Sequence, residues 1–207
     1  MMRVGILGGT GAMGSGLAEQ LSKKHEVRMG SRDAARARAA ATRIAGVVGD
    51  GNEAVALWCE TAIVAVPFSA VESLRELAKA LSGKLVISII NPLRKEGAVL
   101  QYASGGLSAA ELVAQALPRS SVATAFNNVP AAFVRNPPKE GLDILVAAST
   151  KDAYERTAGL VRSIQGMRPL YVGPLSQAES VERLTVMVLN AAMLNGVAKF
   201  STKFVSR

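Results

Sequence analysis

Arg3-Val-Gly-Ile-Leu-Gly-Gly-Thr-Gly-Ala-Met-Gly14 decides the fold: a short apolar run ends in glycines and then opens into a helical pattern. That is the order of a strand, a phosphate loop and a helix. Gly9, Gly11 and Gly14 keep the G-x-G-x-x-G spacing. The first glycine allows the tight turn, the second lets a pyrophosphate approach the backbone, and the third lets helix pack closely on strand. The helix start behind them presents free N–H groups and the positive end of its dipole, which suit a phosphate. The stretch predicts a dinucleotide site at the start of the chain.

Outward from the loop, Met13, Leu17 and Leu21 recur at helical spacing, and Glu26-Val-Arg-Met-Gly30 reads as the second strand. An NAD-specific fold carries Asp or Glu at the end of that strand, roughly twenty residues past the glycines, to bind the ribose hydroxyls. This chain has Ser31-Arg32 there. A carboxylate repels a 2′-phosphate, whereas a hydroxyl and a guanidinium attract one, so NADP is expected over NAD. Arg36, one turn on, can close over the same phosphate, while Arg38 and Arg43 read as solvation of an Ala-rich helix.

Gly46-Val-Val-Gly49 is a weak third strand and Asn52 to Trp58 a short helix. Thr61-Ala-Ile-Val-Ala-Val-Pro67 and Leu85-Val-Ile-Ser-Ile-Ile-Asn-Pro92 are continuous apolar runs ending in proline, the mark of strands buried on both faces. Their tails, Val66-Pro67-Phe68 and Asn91-Pro92-Leu93, fall at the carboxyl edge where open α/β sheets bind ligands. Ser69 can cap a helix running to about Leu81. The alternation predicts a Rossmann-type α/β fold, a doubly wound and mainly parallel sheet with a small C-terminal helical portion.

In the second half, Ser108 with Glu111 three residues on forms a capping box for a helix to Leu117. Val122 to Phe126 is strand-like and leads into Asn127-Asn128-Val129-Pro130-Ala131-Ala132, either a site that hydrogen-bonds a flat heterocycle or a plain Asx turn. Asp143 to Ser149 is a buried strand, Asp152 to Ile164 a helix and Arg168 to Gly173 a last strand. Gly173-Pro174 marks the one plausible boundary, between a nucleotide-binding domain over 1–174 and a helical cap or interface segment over 175–207. Within the latter, Glu179 to Phe200 reads as one helix, apolar nearly all round, to be buried at an interface or laid over the sheet.

A chain of 207 residues with 49% apolar residues can bury a real core. Its net charge of +8 admits polyanionic small molecules, membranes and nucleic acid as partners, but no RNA- or DNA-reading motif accompanies the charge. Cys59 is the only cysteine, so no intramolecular disulfide forms, and it reads as a buried structural thiol. His25 is the only histidine and sits at a polar turn, so neither a histidine triad nor a zinc site can be built. No apolar run reaches the ~18 residues of a membrane span, and a soluble, cytoplasmic protein is expected.

Taken together, Gly8-Gly-Thr-Gly-Ala-Met-Gly14, Gly30-Ser31-Arg32 with Arg36, the Ala-Val-Pro strand end, Val129-Pro-Ala-Ala132 and Gly166-Met-Arg-Pro-Leu-Tyr-Val-Gly-Pro-Leu-Ser176 resemble the F420-dependent NADP oxidoreductase family. The likeness spans essentially the whole chain in motif order. The ferric reductase domain of a family of membrane metalloreductases looks similar as well. The resemblance implies reversible hydride transfer between NADP(H) and the deazaflavin coenzyme F420. It implies that Thr10, Gly11, Ala12 and Met13 hold the pyrophosphate, beside the turn glycine Gly9 of the same cofactor-binding loop, and that Ser31, Arg32 and Arg36 hold the 2′-phosphate, the third position being typically Lys. Val66, Pro67, Phe68, Val71 and Ala132 would lie along nicotinamide and ribose, and Asn127, Val129 and Thr185 would line the deazaflavin side. Asn127 stands where the family is expected to carry a histidine, and its amide cannot titrate near neutrality.

Hydride transfer between two stacked rings needs positioning and water exclusion, with neither catalytic nucleophile nor metal, which matches the scarcity of His and Cys. Two alternatives remain open on the sequence: an NADPH-dependent reductase of a flavin, quinone or metal acceptor, and a non-catalytic NADP-binding sensor. Small-molecule cofactors are the expected partners, without nucleic acid or membrane, and the apolar terminal helix favours a homodimer.

Overall fold

The computed structural model describes residues 1–197 and 202–205. Strand β1 (Arg3–Leu7), helix α1 (Ala12–Leu21), β2 (Glu26–Ser31), α2 (Ala34–Ala41), β3 (Val47–Gly51), α3 (Asn52–Trp58) and β4 (Thr61–Val64) form the first half. Two 3-10 turns, a four-residue α4 (Ala78–Leu81) and β5 (Leu85–Ser88) complete it. A hairpin of β6 (Leu93–Glu96) and β7 (Val99–Tyr102) follows, then α5 (Ala109–Ala116), β8 (Ser121–Thr124) and α6 (Ala131–Arg135). The chain continues through β9 (Leu142–Ala148), α7 (Lys151–Ser163), β10 (Met167–Pro174) and α8 (Ala178–Leu194).

Eight strands make one sheet in the order β10-β9-β8-β5-β4-β1-β2-β3. Neighbours from β3 across to β8 are parallel, and β9 and β10 pair in parallel with each other but run antiparallel to β8. The predicted doubly wound, mainly parallel sheet is therefore present, with a reversed pair at one edge. The reversal follows from the connection. Short α6 and its flanking loops return the chain to the edge where β8 ended, so no crossover turns β9 around.

The apolar runs are continuous because both faces of the sheet are covered. Ile63, Leu85 and Ile87 point into the layer with Leu17, Leu21 and Met29, while the alternate residues Ala62, Val64 and Val86 point into the layer with Val55, Leu81 and Val113. Each side chain named is buried, in line with the period of two along a strand.

Several expected boundaries differ. The single helix from Ser69 to Leu81 is instead Phe68–Ala70 and Glu72–Leu77 in 3-10 geometry followed by α4, and no side chain of Ser69 caps it. The terminal helix, expected over Glu179 to Phe200, spans Ala178–Leu194, and residues 198–200 lie outside the described residues. The hairpin β6–β7 was not foreseen: its first strand, Leu-Arg-Lys-Glu, is exposed throughout and carries no alternation. It is held from α8, where Asn190 Oδ1 accepts from the Leu100 N–H at 2.7 Å and Asn190 Nδ2 donates to the Leu100 carbonyl at 2.8 Å.

Residues 202–205 dock along the reversed pair. Arg168 grips the buried Asp143 carboxylate in a two-point fork at 2.7 and 2.8 Å, which holds Asp143 below its usual pKa, and the Phe204 N–H donates to the same carboxylate at 2.6 Å. Among the described residues, no helix is long and apolar enough to cross a membrane.

Candidate functional site

The site is built on the carboxyl edge of the parallel strands. Beyond Leu7 the chain turns through Gly8 to Gly11, and the Gly9 N–H donates to the Gly30 carbonyl at 2.9 Å, tying the turn to the end of β2. A Cβ at Gly14 would lie 2.6 Å from the Gly9 α-carbon, so only glycine lets α1 press against the loop. Gly11 is the opposite case. It caps α1 in an extended conformation (φ −78°, ψ 173°), and a Cβ there would meet nothing within 4 Å. Among the described residues no side chain caps α1, and its first turn carries no acidic residue. The opening amides of a ten-residue helix, Ala12 and Met13 among them, thus face a space the protein leaves free, which fits a pyrophosphate.

At the end of β2, the Ser31 hydroxyl accepts from the Asp33 N–H at 3.2 Å. Asp33 caps α2, its carboxylate accepting from the N–H groups of Ala35 and Arg36. Arg32 and Arg36 are exposed, and among the described residues neither has a carboxylate partner. Arg38 by contrast pairs with Asp50 at 3.6 Å, more than the plain solvation expected of it. Ser31, Arg32 and Arg36 thus leave a hydroxyl and two guanidiniums beside the turn, the chemistry a 2′-phosphate needs.

On the other side of the loop, Val66 packs against it: a Cβ at Gly8 would stand 2.9 Å from the Val66 methyl. Pro67 is exposed, Val66 and Phe68 are half-buried, and Val71 is buried in the core layer behind them. Ala132 is exposed in the first turn of α6.

A cleft of about 300 Å³ opens between the end of β5, the turn after β8 and the face of α8. Four expected residues meet there: Met13, Asn127, Val129 and Thr185. Val66, Pro67, Phe68, Val71 and Ala132 do not line it. Ile89, Asn91, Phe126 and Leu189 line it without having been foreseen, although the Asn91-Pro92 strand tail had marked the edge they belong to. Phe126, fully buried, has φ 63°, a left-handed backbone that costs an aromatic residue of order 1–3 kcal/mol and redirects the chain sharply out of β8.

That turn presents Asn127 in a particular way. Asn127 is only 3% exposed. Its Oδ1 accepts from the Thr124 hydroxyl at 2.6 Å, and its Nδ2 donates to the Ile90 carbonyl at 3.0 Å and to Asn91 Oδ1 at 3.2 Å. Its carbonyl accepts from Asn91 Nδ2 and from the Thr185 hydroxyl, both at 3.0 Å. The amide's two hydrogens are both engaged by protein, so Asn127 lines the cleft while fastening β5, β8 and α8 together. Asn128 does the same for the sheet edge, its Nδ2 donating to the Asp143 carbonyl and its Oδ1 accepting from the Leu145 N–H.

The lone histidine and the lone cysteine lie elsewhere. His25 and Cys59 stand just before β2 and β4, at the opposite edge of the sheet. Burial pushes the Cys59 thiol up, and burial with nearby positive charge lowers His25. Among the described residues no group of three His, Cys, Asp or Glu could hold a metal.

Comparison with known proteins fits this geometry. The family model described as NADP oxidoreductase, coenzyme F420-dependent, matches residues 3–92, from β1 to the end of the β5 tail. The F420-dependent NADP reductase of Methanothermobacter marburgensis is 32% identical over 212 residues, covering 95% of each chain. The chain belongs to the F420-dependent NADP oxidoreductase family. Its fold is that of a candidate F420-dependent NADP-reductase from an Arthrobacter species, with a TM-score of 0.89, full coverage of both chains and 22% identity. A third relative is the metalloreductase STEAP3 of Rattus norvegicus, 32% identical over 189 residues, of which this chain spans 37% of the length.

Proposed function

We propose that this protein transfers a hydride between NADP(H) and the deazaflavin coenzyme F420. The observation that carries the reading is the position of Met13: its backbone belongs to the uncapped first turn of α1, and the same residue lines the cleft. A phosphate seat and a ring pocket therefore abut. NADPH, when bound, supplies a hydride to the acceptor ring and the reverse reaction returns it.

The chain's own part is binding, orientation and exclusion of water. Thr10, Gly11, Ala12 and Met13 are proposed to hold the pyrophosphate on backbone donors, Gly9 to shape the turn beneath it with its own N–H tied to Gly30, and Ser31, Arg32 and Arg36 to hold the 2′-phosphate. Val66, Pro67, Phe68, Val71 and Ala132 are proposed to bound the nicotinamide and ribose, Val71 from behind. Val129, Thr185 and the fixed turn at Asn127 are proposed to seat the acceptor ring. With its amide tied into protein, Asn127 sets the shape of that wall and moves no proton. Near-attack placement of two rings in a pocket with apolar walls is the main source of rate in such a reaction.

Thr185 and Leu189 come from α8, which supports reading 175–207 as a cap over a Rossmann domain at 1–174. On the face of α8 turned away from Thr185 and Leu189, Met187 and Leu194 are each 61% exposed, and we propose that a second copy covers it as a homodimer. A cytoplasmic setting belongs to the same reading, supported by a lone buried thiol.

The decisive assay is NADPH oxidation with F420, FMN, FAD, a quinone and a ferric chelate side by side. Turnover with F420 at least tenfold above the others is expected. Faster turnover with a flavin, quinone or ferric iron would replace the acceptor, and NADPH binding without turnover on any of them would make the protein a sensor.

A further inference from the structure

Asn52 is the first residue of α3 and directly follows β3, whose last residues pair Gly30 with Asp50 and Ser31 with Gly51. Its side chain reaches across the end of β2. The Oδ1 atom accepts from the Gly8 N–H at 3.2 Å, at the residue that opens the phosphate loop in a left-handed conformation (φ +72°). The same Asn52 Oδ1 would lie 2.5 Å from a Cβ at Gly30, and the Asn52 α-carbon 3.3 Å from it. Asn52 therefore lies flat on the bare α-carbon that precedes Ser31 and Arg32. The Gly9 N–H closes the ring by donating to the Gly30 carbonyl at 2.9 Å. One side chain thus touches the backbone of both stretches assigned to phosphate groups.

We infer that Asn52 is a positioning residue that holds the pyrophosphate loop and the 2′-phosphate turn at the fixed separation NADP requires, and so sharpens the preference for NADP over NAD. The inference rests on the NADP reading of these two stretches. A ligand with two anchors gains from a site that keeps both seats in register, whereas a ligand with one anchor gains little. If the Gly8 N–H loses its acceptor, the loop can move against the Gly30-Ser31 turn, and NADPH suffers more than a ligand using one seat. The geometry also explains why glycine stands at position 30: any larger residue would displace the Asn52 amide.

The test is titration calorimetry of wild type, Asn52→Ala and Asn52→Asp with NADPH, NADH and 2′-AMP, together with thermal melting. Wild type is expected to bind NADPH well above NADH; failure there would overturn the NADP reading itself, before any variant is considered. In Asn52→Ala, NADPH affinity should fall roughly 10-fold, the effect of losing one well-placed hydrogen bond, with NADH and 2′-AMP changed by less than about 3-fold. Asn52→Asp keeps an acceptor for the Gly8 N–H and so should melt like wild type, but its negative charge beside the Ser31 turn should reduce NADPH affinity more than NADH affinity, most strongly at low salt. This variant carries the test if Asn52→Ala does not fold. Equal losses for NADPH and NADH, or NADPH affinities within about 2-fold of wild type, would overturn the inference.

Discussion

The starts of α1 and α5 are built from similarly small residues and end up in opposite states. At α5 the protein closes the helix itself. Ser108 and Glu111 cap each other, and Glu182 of α8 reaches in so that its carboxylate accepts from the Ala109 N–H at 3.0 Å, the Ala110 N–H at 3.3 Å and the Tyr102 hydroxyl at 2.8 Å. At α1 no side chain among the described residues arrives, the first turn lacks an acid, and a Cβ on Gly11 would meet none of their atoms within 4 Å. One helix end is capped by the fold's own carboxyl group, and the other is left for an anion from outside. The contrast shows that a helix N-terminus becomes a ligand site only where the protein declines to fill it.

The largest effect should come from emptying the filled end. Glu182→Ala strands two buried amides and a hydroxyl and should destabilise the fold by about 3 kcal/mol, read from denaturant unfolding. Glu182 also gives a pH signature. Burial raises its pKa from 4.5 to about 7, so between those values the folded state keeps a proton that the unfolded chain has released. This group's contribution to stability therefore falls as pH rises through that window and levels off above it, and Glu182→Gln should flatten that slope. A slope unchanged in Glu182→Gln would assign it to another group.

Next in size is Gly14→Ala, whose Cβ meets the Gly9 backbone: about 2 kcal/mol of stability should be lost, along with NADPH binding. Arg32→Ala should leave stability alone and weaken NADPH binding by about 1–3 kcal/mol while sparing NADH, the range for hydrogen bonds to charged groups; equal loss for both cofactors would remove Arg32 from the 2′-phosphate seat. Among the glycine changes the smaller for the fold is Gly11→Ala. Its Cβ touches no protein atom, so melting should shift little, under about 1 kcal/mol, yet the new methyl enters the space left at the bare helix end and should weaken NADPH at least about tenfold. Gly14 and Gly11 thus separate a glycine needed by the fold from one needed by the ligand.

The elements that were legible are those whose signals are local. The glycine loop, the two-sided burial of Thr61–Val64 and Leu85–Ser88, and the Ser108 capping box all sit within a few residues of the structure they specify. What stayed hidden depends on distant partners. The exposed hairpin at 93–102 is fixed by Glu182 and Asn190, some ninety positions on in the latter case. The left-handed Phe126 has no local sequence mark. Asn127 could be read as a polar residue at a strand end, but whether its amide faces a ligand or the protein depends on Ile90 and Asn91, 37 and 36 residues away. The reversal of β9 and β10 likewise depends on how short α6 is, which composition does not reveal.

A crystal structure with NADP tests the central claim most directly. The diphosphate is expected within hydrogen-bonding distance of the Ala12 and Met13 N–H groups, the 2′-phosphate beside Ser31, Arg32 and Arg36, and the nicotinamide at the mouth of the cleft beyond Met13. A nucleotide bound elsewhere, or a diphosphate that leaves the first turn of α1 untouched, would contradict it.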